Sequence, residues 1–437
     1  MPDLIRILDI ARRALSAHQN AMNTASNNIA NANTEGFSRQ RINLTAAKPI
    51  HMPNGIFGSG VSVESVKRIR DRFVDQQLMN ERPSFNQFEF KSDALHFIEE
   101  IFNEPSDFGL NRMLEDFFNA FHDLANDPES TAARTVVRDN AVTLSNGFKR
   151  IHRQLFDFSQ QLNDNLKTQV DEVNRYASQI AQLNDKIVSS EVDGNEASSL
   201  RDERDLLIDK LSKLVNVKTY ENQFGAVNVA VGGRFLVVET KSFKLSLATQ
   251  SVAAIGPQVI FENGGEIANI TDGTIKGILD IRDVNVSDYL YQLDQLAVNF
   301  AEEVNKIHAQ GFNLDGTSNI NFFSPTVSGA EDFEVSPEIL NDASLIATAD
   351  VLNEPGNNNI ALAIAGLQDS LIMDEGQATF SAFYNSLIAS VGSHTQEATF
   401  LKNSFSLTVE KLELTRESIS GVSLDEEMTN LIAAQQA

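Results

Sequence analysis

The first thirty residues of the chain carry apolar side chains in a regular pattern. The steps between them alternate between four and three residues, which is the heptad period that keeps a narrow seam facing a partner helix. Because alanines thin this seam and it begins at the start of the chain, it suits packing against other chains better than against a bulky core. The seam consists of Leu4, Leu8, Ala11, Leu15, His18, Met22, Ala25 and Ile29.

Helical spacing also dominates the rest of the chain. The longest predicted helix runs from about 131 to 190, and others are predicted from about 287 to 308 and from about 378 to 418. Pro83 is expected to kink or interrupt an earlier helix, because its ring blocks one backbone hydrogen bond. The sequence therefore indicates a mainly α protein with long helices.

The period changes from 3.6 to two residues after about 215. Valines alternate over 227–231, and two glycines at 232–233 separate them from a second apolar run, which is a good hairpin signal. Residues 216–282 are therefore predicted to form a small β-rich insertion. The segment 48–60 contains two prolines and three glycines and is predicted to be a loop.

The composition narrows the classes of function. A formal net charge of −25 argues against a nucleic-acid partner, because phosphate binding needs a basic face. The absence of cysteine excludes disulfides, thiolate zinc sites and cysteine nucleophiles. No apolar stretch is long enough for a membrane span, and the N-terminus lacks the zones of a cleavable signal peptide. Neither membrane insertion nor a cleaved leader is expected.

No motif for catalysis, cofactors or metals stands out. The seven histidines are dispersed, and none has the spacing of a metal-binding motif. Asp315–Gly316 lacks the later acidic residues of a calcium loop and is interpreted as a turn. A nucleophile elbow, a phosphate loop and a dinucleotide fingerprint are all missing. We therefore predict no catalytic residue and no cofactor, and the chain is not expected to be an enzyme.

Motifs at both ends of the chain resemble those of one bacterial family. The asparagine-rich run after the seam is similar to the N-terminal signature of flagellar rod, hook and hook-associated proteins. The run over 418–427 is similar to the C-terminal motif of the hook-associated protein 1 family, and the segments 200–207 and 273–282 agree with that family. The motif residues are Asn27, Asn28, Ala30, Asn31, Thr34, Gly36 and Phe37, together with Asp425, Glu426 and Glu427.

The resemblance implies a structural protein of the extracellular flagellum that forms the hook–filament junction. It implies export through the flagellar type III apparatus without a cleaved signal peptide. The implied partners are further copies of the chain in a tubular ring, hook protein on one side and the second hook-associated protein on the other. A flagellar export chaperone is a further candidate partner.

The resemblance also implies an elongated, multi-domain architecture in which the two chain ends pair as a coiled coil. The C-terminal half of that pair is expected to be short, with about four helical turns after Gly421. Both terminal helices are expected to be dynamic in the free protein and to order when copies stack. The expected units are 1–70 with 421–437 as the terminal axial region, 71–215 with 283–420 as the long-helix middle domain, and 216–282 as the β-rich insertion.

Three C-terminal residues, Leu424, Leu431 and Ile432, are expected to join the N-terminal seam in an assembly interface. The asparagines of the motif can end the first helix by bonding local backbone, and we expect them also to contact neighbouring subunits. Gly36 is expected to adopt a positive φ. The acidic run 425–427 suits the first turn of a helix, where the dipole favours it, or pairing with basic residues of the other terminus.

Other functions remain open at this stage. A different axial flagellar protein, such as hook or distal rod protein, is the nearest alternative. A cell-wall hydrolase and a secreted adhesin that uses residues 216–282 are more distant ones.

Overall fold

The computed structural model describes residues 2–52, 55–106, 108–192, 194–248 and 256–436. Over these residues the chain is mainly helical, with short two-stranded and four-stranded sheets. The helices are α1 (Pro2–Ala30), α2 (Arg72–Phe102), α3 (Leu110–Asn126), α4 (Thr131–Ser190), α5 (Ser198–Leu214), α6 (Thr274–Asp280), α7 (Ser287–His308), α8 (Pro337–Asn341), α9 (Asn359–Ala365), α10 (Phe380–Ser420) and α11 (Leu424–Gln436). A π-helical segment, Ile281–Val286, joins α6 to α7.

Long helices give the molecule its elongated shape. Helix α4 has 60 residues, which corresponds to roughly 90 Å at 1.5 Å per residue. Helices α2 and α10 pack along each other, and the Phe88 and Phe405 rings stack between them with centroids 5.7 Å apart. The bounds of α4 and α7 agree with the predicted helices.

Helix α2 continues through Pro83, so the predicted interruption is wrong. Pro83 is buried, and its carbonyl accepts a hydrogen bond from the Gly273 backbone N–H at 3.1 Å. The helix also packs against α6 and α10. Tertiary packing thus compensates for the backbone hydrogen bond that the proline removes.

One continuous core connects the helical and β-rich parts. Phenylalanine rings from α3, α7 and the following loop cluster at one end, where the Phe117 and Phe300 centroids are 5.2 Å apart. At the other end, Val229 and Leu236 belong to the same buried cluster as Ile180 of α4. The β-rich part is therefore packed into the main core on one face.

The strands of the β-rich part form two separate sheets. Strands β5 (Val217–Glu221), β6 (Val227–Val231), β7 (Arg234–Val238) and β8 (Lys241–Ser242) are antiparallel in that order, and β9 (Leu245–Ala248) pairs with β10 (Gln258–Phe261). The turn between β6 and β7 is the predicted glycine pair. The predicted range 216–282 also contains α6, and its residues 249–255 lie outside the described residues.

A two-stranded arm follows α1. Strand β1 (Gln40–Ala46) pairs with β4 (Val61–Arg68), with a bulge between Asn43 and Leu44. At the tip, β2 (Ile50–Met52) pairs with β3 (Gly55–Phe57). The prediction of a loop over 48–60 is therefore wrong for these strands, although residues 53–54 lie outside the described ones. Gly55 lies in β3, whereas Gly58 and Gly60 lie in the short irregular segment that joins β3 to β4.

His308 is fully enclosed near the C-terminal end of α7. Its Nδ1 lies 2.7 Å from the Ile320 carbonyl oxygen, and its Nε2 accepts a hydrogen bond from the Ala347 N–H at 2.9 Å. These two contacts require a neutral ring with the proton on Nδ1. Burial lowers the pKa of His308 to about 4.

Acid is expected to destabilise the protein through His308. Below the ordinary pKa of about 6.5 the unfolded chain binds a proton that the folded chain does not, so stability falls by about 1.4 kcal/mol per pH unit until the folded pKa of about 4. Urea unfolding of the wild type and of His308→Gln at pH 7.5, 6.5 and 5.5 measures this difference. The free energy of unfolding of His308→Gln should fall less steeply between pH 7.5 and 5.5 than that of the wild type. His96→Asn, at an exposed site, should follow the wild type. Equal slopes for all three proteins would contradict the assignment.

Candidate assembly interface

The predicted seam on α1 is largely exposed in its N-terminal half. Leu4, Leu8 and Leu15 keep 63%, 61% and 68% of their surface accessible. In the C-terminal half His18, Met22 and Ile29 are half-buried, and Ala25 is buried. The described residues therefore leave the seam largely uncovered near the N-terminus.

A different line of α1 packs against the rest of the chain. Ala17 and Asn28 are buried, and Ile10, Ala14 and Ala21 are half-buried. This line lies one residue before the seam, which places it roughly 100° around the helix. It faces α11, β1 and β4. The sequence missed it because small alanines give a weak hydrophobic signal.

Helix α11 lies against the C-terminal half of α1. Glu427 is buried and Leu431 is half-buried, whereas Leu424, Met428 and Ile432 are exposed along a neighbouring line. Of the three C-terminal interface residues predicted from sequence, Leu431 thus packs inside the chain, and Leu424 and Ile432 face outward. The exposed line of α11 adds a second apolar surface to that of α1.

Asn28 joins the two chain ends at one point. Its Nδ2 donates to the Gln40 carbonyl oxygen and to Glu427 Oε2, both at 2.9 Å, and its Oδ1 accepts from the Gln40 N–H at 2.9 Å. The side-chain amide thus pairs with both backbone groups of Gln40, the first residue of β1, in the way that a neighbouring strand does. The same amide is hydrogen-bonded to Glu427 of α11. Because this site is buried, an unpaired partner would be costly.

Arg39 completes this contact between the ends. Its Nε donates a hydrogen bond to Glu427 Oε1 at 2.8 Å, and its Nη1 lies 2.7 Å from Glu426 Oε2. The Arg39 backbone N–H donates to the Ser420 carbonyl at 2.9 Å. The structure confirms both interpretations of the acidic run: Asp425, Glu426 and Glu427 lie in the first turn of α11, and the two glutamates also pair with Arg39.

The other motif residues have local roles. Asn31 Nδ2 donates to the Asn27 carbonyl at 3.0 Å, and the Thr34 hydroxyl donates to Asn31 Oδ1 at 3.3 Å. Gly36 has φ of +81°, and a Cβ there would lie 3.0 Å from the Leu206 Cβ, so both backbone and space require glycine. Among the remaining motif residues, Ala30 and Phe37 have apolar side chains. In the described part of the chain, the side chains of Asp425 and of the neighbouring Asn33 form no hydrogen bond.

Helix α5 binds the terminal region to the body of the molecule. Asp202 accepts hydrogen bonds from the Ser38 hydroxyl at 2.7 Å and from Arg68 at 2.8 Å. Asp205 accepts from Arg68 at 2.9 Å and from Arg70 at 2.8 Å. These aspartates hold the base of the β1–β4 arm, where β1 begins and β4 ends.

Asp209 extends this acidic face of α5 to the long helices. It pairs with Arg82 of α2 at 2.8 Å and with Arg416 of α10 at 2.7 Å. Burial acts to raise the pKa of Asp209, but the two guanidiniums outweigh it and leave the pKa below its usual value. Asp202, Asp205 and Asp209 stand three and four residues apart, so one face of α5 joins the arm, α2 and α10.

Residues 200–207 show a family resemblance in the sequence, which by itself predicts no role for their charges. A signal was present in the alternation of arginine and aspartate, but Arg68 and Arg70, which pair with Asp202 and Asp205, lie more than 130 residues away. Arg201, by contrast, pairs with the nearby Glu191 and Glu221. A cavity of about 270 Å³ beside α5 is lined by five arginines and four carboxylates. Because these groups largely pair with one another, the arrangement fastens segments together and does not present a free ionic site.

Neither a metal-binding cluster nor a membrane-spanning helix is found among the residues that the structure describes. Within the described ranges, no three histidine or carboxylate side chains are grouped so that they could hold a metal ion. No helix in the described part of the chain is long and apolar enough to cross a bilayer.

Comparison with known proteins assigns the family. Residues 95–323, about half of the chain, match the family model described as the flagellar hook-associated protein FlgK helical domain, and residues 8–37 match the flagella basal body rod protein model. Flagellar hook-associated protein 1 of Bacillus subtilis is 31% identical over 98% of this chain and 93% of its own length. The chain belongs to the flagellar hook-associated protein 1 family. It is a structural protein of the flagellum at the hook–filament junction and not an enzyme, and it assembles with other flagellar components.

Other similar proteins agree with this assignment over a smaller share of this chain. Flagellar hook-associated protein 1 of Escherichia coli is 29% identical over 73% of this chain and 60% of its own length. The structure of the flagellar hook junction protein FlgK from Burkholderia pseudomallei superposes with a TM-score of 0.71 at 16% identity, covering 79% of this chain and all of that one. The second comparison shows a shared fold, mainly α with small sheets.

Replacing Asn28 with aspartate is expected to release α11. The new carboxylate would lie against Glu427, and the Gln40 carbonyl would lose its donor, which together cost about 1–3 kcal/mol. Amide hydrogen exchange in α11 should then be about 10- to 100-fold faster, with no change in α4. Asn27→Asp, one position away and exposed, is the control. Unchanged exchange in α11 would refute the role of Asn28.

Replacing Asp202 with asparagine is expected to loosen the β1–β4 arm. The substitution removes the charge that faces Arg68 and leaves a buried guanidinium less well paired. Limited trypsin digestion should cut several-fold faster between 39 and 70, as read by mass spectrometry. Glu203→Gln, on the exposed face of α5, should be cut at the wild-type rate. Equal rates for both variants would show that Asp202 does not hold the arm.

Proposed function

We propose that the chain builds the junction by packing its terminal helices between copies in a tubular ring. The observation that carries this proposal is the exposed N-terminal half of the seam, Leu4, Leu8 and Leu15, on a helix already anchored through Asn28. When a neighbour covers an exposed apolar line on an anchored helix, burial lowers the free energy by about 25 cal/mol per Å² of apolar surface removed from water. The exposed line of α11 contributes Leu424 and Ile432 to the same packing.

The division of labour within the chain follows from this proposal. The terminal axial region (1–70 with 421–437) provides the contacts between copies, and the long-helix middle domain (71–215 with 283–420) provides a rigid body around it. The β-rich insertion (216–282) lies on the outside. The charged face of α5 supports this arrangement because it fixes the terminal region to α2 and α10.

The specific partners belong to the same proposal. The ring contacts hook protein on one side and the second hook-associated protein on the other, and an export chaperone binds the chain before assembly. The chain reaches the outside of the cell through the flagellar export apparatus without a cleaved signal peptide. The family assignment supports each of these steps.

Deletion of the gene tests the junction role. In the bacterium that carries this chain, the deletion strain should have completed hooks, no filaments and flagellin in the medium, as seen by electron microscopy and immunoblotting. Normal filaments in that strain would end the proposal.

The seam is tested by complementation of the same strain. Leu8→Ser with Leu15→Ser should fold normally, because both side chains are exposed, yet should restore filaments on far fewer cells than the wild type. The matched control is Leu362→Ser with Leu371→Ser, which changes two exposed leucines outside the terminal region. Full filaments with the seam variant would show that the seam is not an assembly contact.

A further inference from the structure

The turn that follows β10 contains an asparagine directly before a glycine, Asn263–Gly264. Both residues are exposed, and the Asn263 side chain forms no hydrogen bond in the described part of the chain. Gly264 has φ of +110°, a backbone conformation that other residues rarely adopt, so the turn requires glycine here. Because glycine has no Cβ, nothing shields its backbone nitrogen from the asparagine side chain that precedes it.

The backbone hydrogen bonds that close this turn do not use the Gly264 nitrogen. The Gly265 N–H donates to the Phe261 carbonyl at 3.0 Å, and the Phe261 N–H donates to the Glu266 carbonyl at 2.9 Å. The Gly264 N–H donates to no group among the described residues. Its proton can therefore leave to solvent without breaking a hydrogen bond of the fold.

Arg234 brings a positive charge to the same peptide group. Its Nη2 donates to the Asn263 carbonyl oxygen at 3.1 Å. The guanidinium is held there by an ion pair with Glu266 and by the Phe261 ring, whose centroid lies 4.8 Å away. When the Gly264 nitrogen loses its proton, the carbonyl oxygen of that peptide shares the negative charge. The guanidinium thus stabilises the charge at the atom where it develops.

We propose that Asn263 is a site of spontaneous deamidation that Arg234 assists. The Gly264 nitrogen forms a bond to the Asn263 Cγ, the Cγ–Nδ2 bond breaks, and Nδ2 leaves as ammonia with the proton that the Gly264 nitrogen has lost. Water then opens the cyclic imide at one of its two carbonyls, which gives aspartate or isoaspartate. The reaction needs only water, and this inference goes beyond the junction role and does not depend on it.

A second asparagine–glycine pair provides an internal comparison. Asn146–Gly147 lies within α4, where Asn146 is exposed and Gly147 is buried. A helix engages the amide proton with the carbonyl four residues earlier, and its fixed backbone angles prevent the rotation that would close the ring. The third pair of the sequence includes Asn54, which lies outside the described residues.

The reaction changes both the charge and the backbone at the end of β10. Either product places a new carboxylate beside Arg234, where it competes with Glu266 for the guanidinium. In the isoaspartate product, the former Cβ also becomes part of the main chain, which lengthens the tight turn over 261–266. Because Phe261 is buried and pairs with Leu245 of β9, this longer turn loosens the edge of the β9–β10 sheet.

Incubation of the purified chain in mildly alkaline buffer tests the site. Fragment ions of the tryptic peptides locate each amide-to-acid mass change, and chromatography separates aspartate from isoaspartate. In the folded protein Asn263 should convert severalfold faster than Asn146. In urea the two rates should approach each other, because the helix no longer protects Asn146. Equal rates for the two asparagines in the folded protein would overturn the assignment of the site.

A pair of charge variants tests the part played by Arg234. Asn263 should convert severalfold more slowly in Arg234→Gln than in the wild type, because the stabilising charge is lost. Lys241→Gln removes one positive charge from an exposed position in the same β-rich part and should leave the rate unchanged. If the guanidinium only held the turn in place, its loss would free the backbone and speed the reaction. A rate in Arg234→Gln at or above that of the wild type would therefore overturn its assisting role.

Discussion

The charged face of helix α5 is the interaction on which the arrangement of the chain depends. Three aspartates of this face form ion pairs with arginines of the arm, of α2 and of α10; they are Asp202, Asp205 and Asp209. Buried charges of this kind are costly unless every partner is present. The terminal region therefore has one favoured position on the body, and a geometric fault in any of the three segments would disturb the other two.

This constraint explains how a thin terminal region can serve as an assembly surface. Helix α1 has a buried line of alanines and Asn28 on one face and an exposed line of leucines on the next. The first line and the Asn28–Glu427 contact hold the helix to its own chain. In the proposed assembly, the second line faces neighbouring copies in a defined direction, which lowers the entropy that association costs.

Local patterns were sufficient for the elements whose faces repeat regularly. The bounds of α4 and α7 and the hairpin at 232–233 follow from periodicity and turn residues. The continuation of α2 through Pro83 and the strands at the arm tip do not, because distant packing decides both. The same holds for the interface: the seam was visible in the sequence, whereas the pairs of Asp202 and Glu427 join residues more than 130 positions apart. Contacts at that separation leave no periodic signal.

The alanines of the α1 seam have a consequence for the chain before it is incorporated. A seam made wholly of leucines would expose a continuous apolar patch, and such patches promote aggregation. Ala11 interrupts the line between Leu8 and Leu15, whereas Ile5 and Ile7 are exposed beside Leu4 and Leu8, so five large apolar side chains are exposed in the N-terminal half of α1. The alanine thus reduces the apolar surface in the middle of this half of the helix, and the exposed leucines and isoleucines of its first turns are the part that is prone to unspecific association in the free chain.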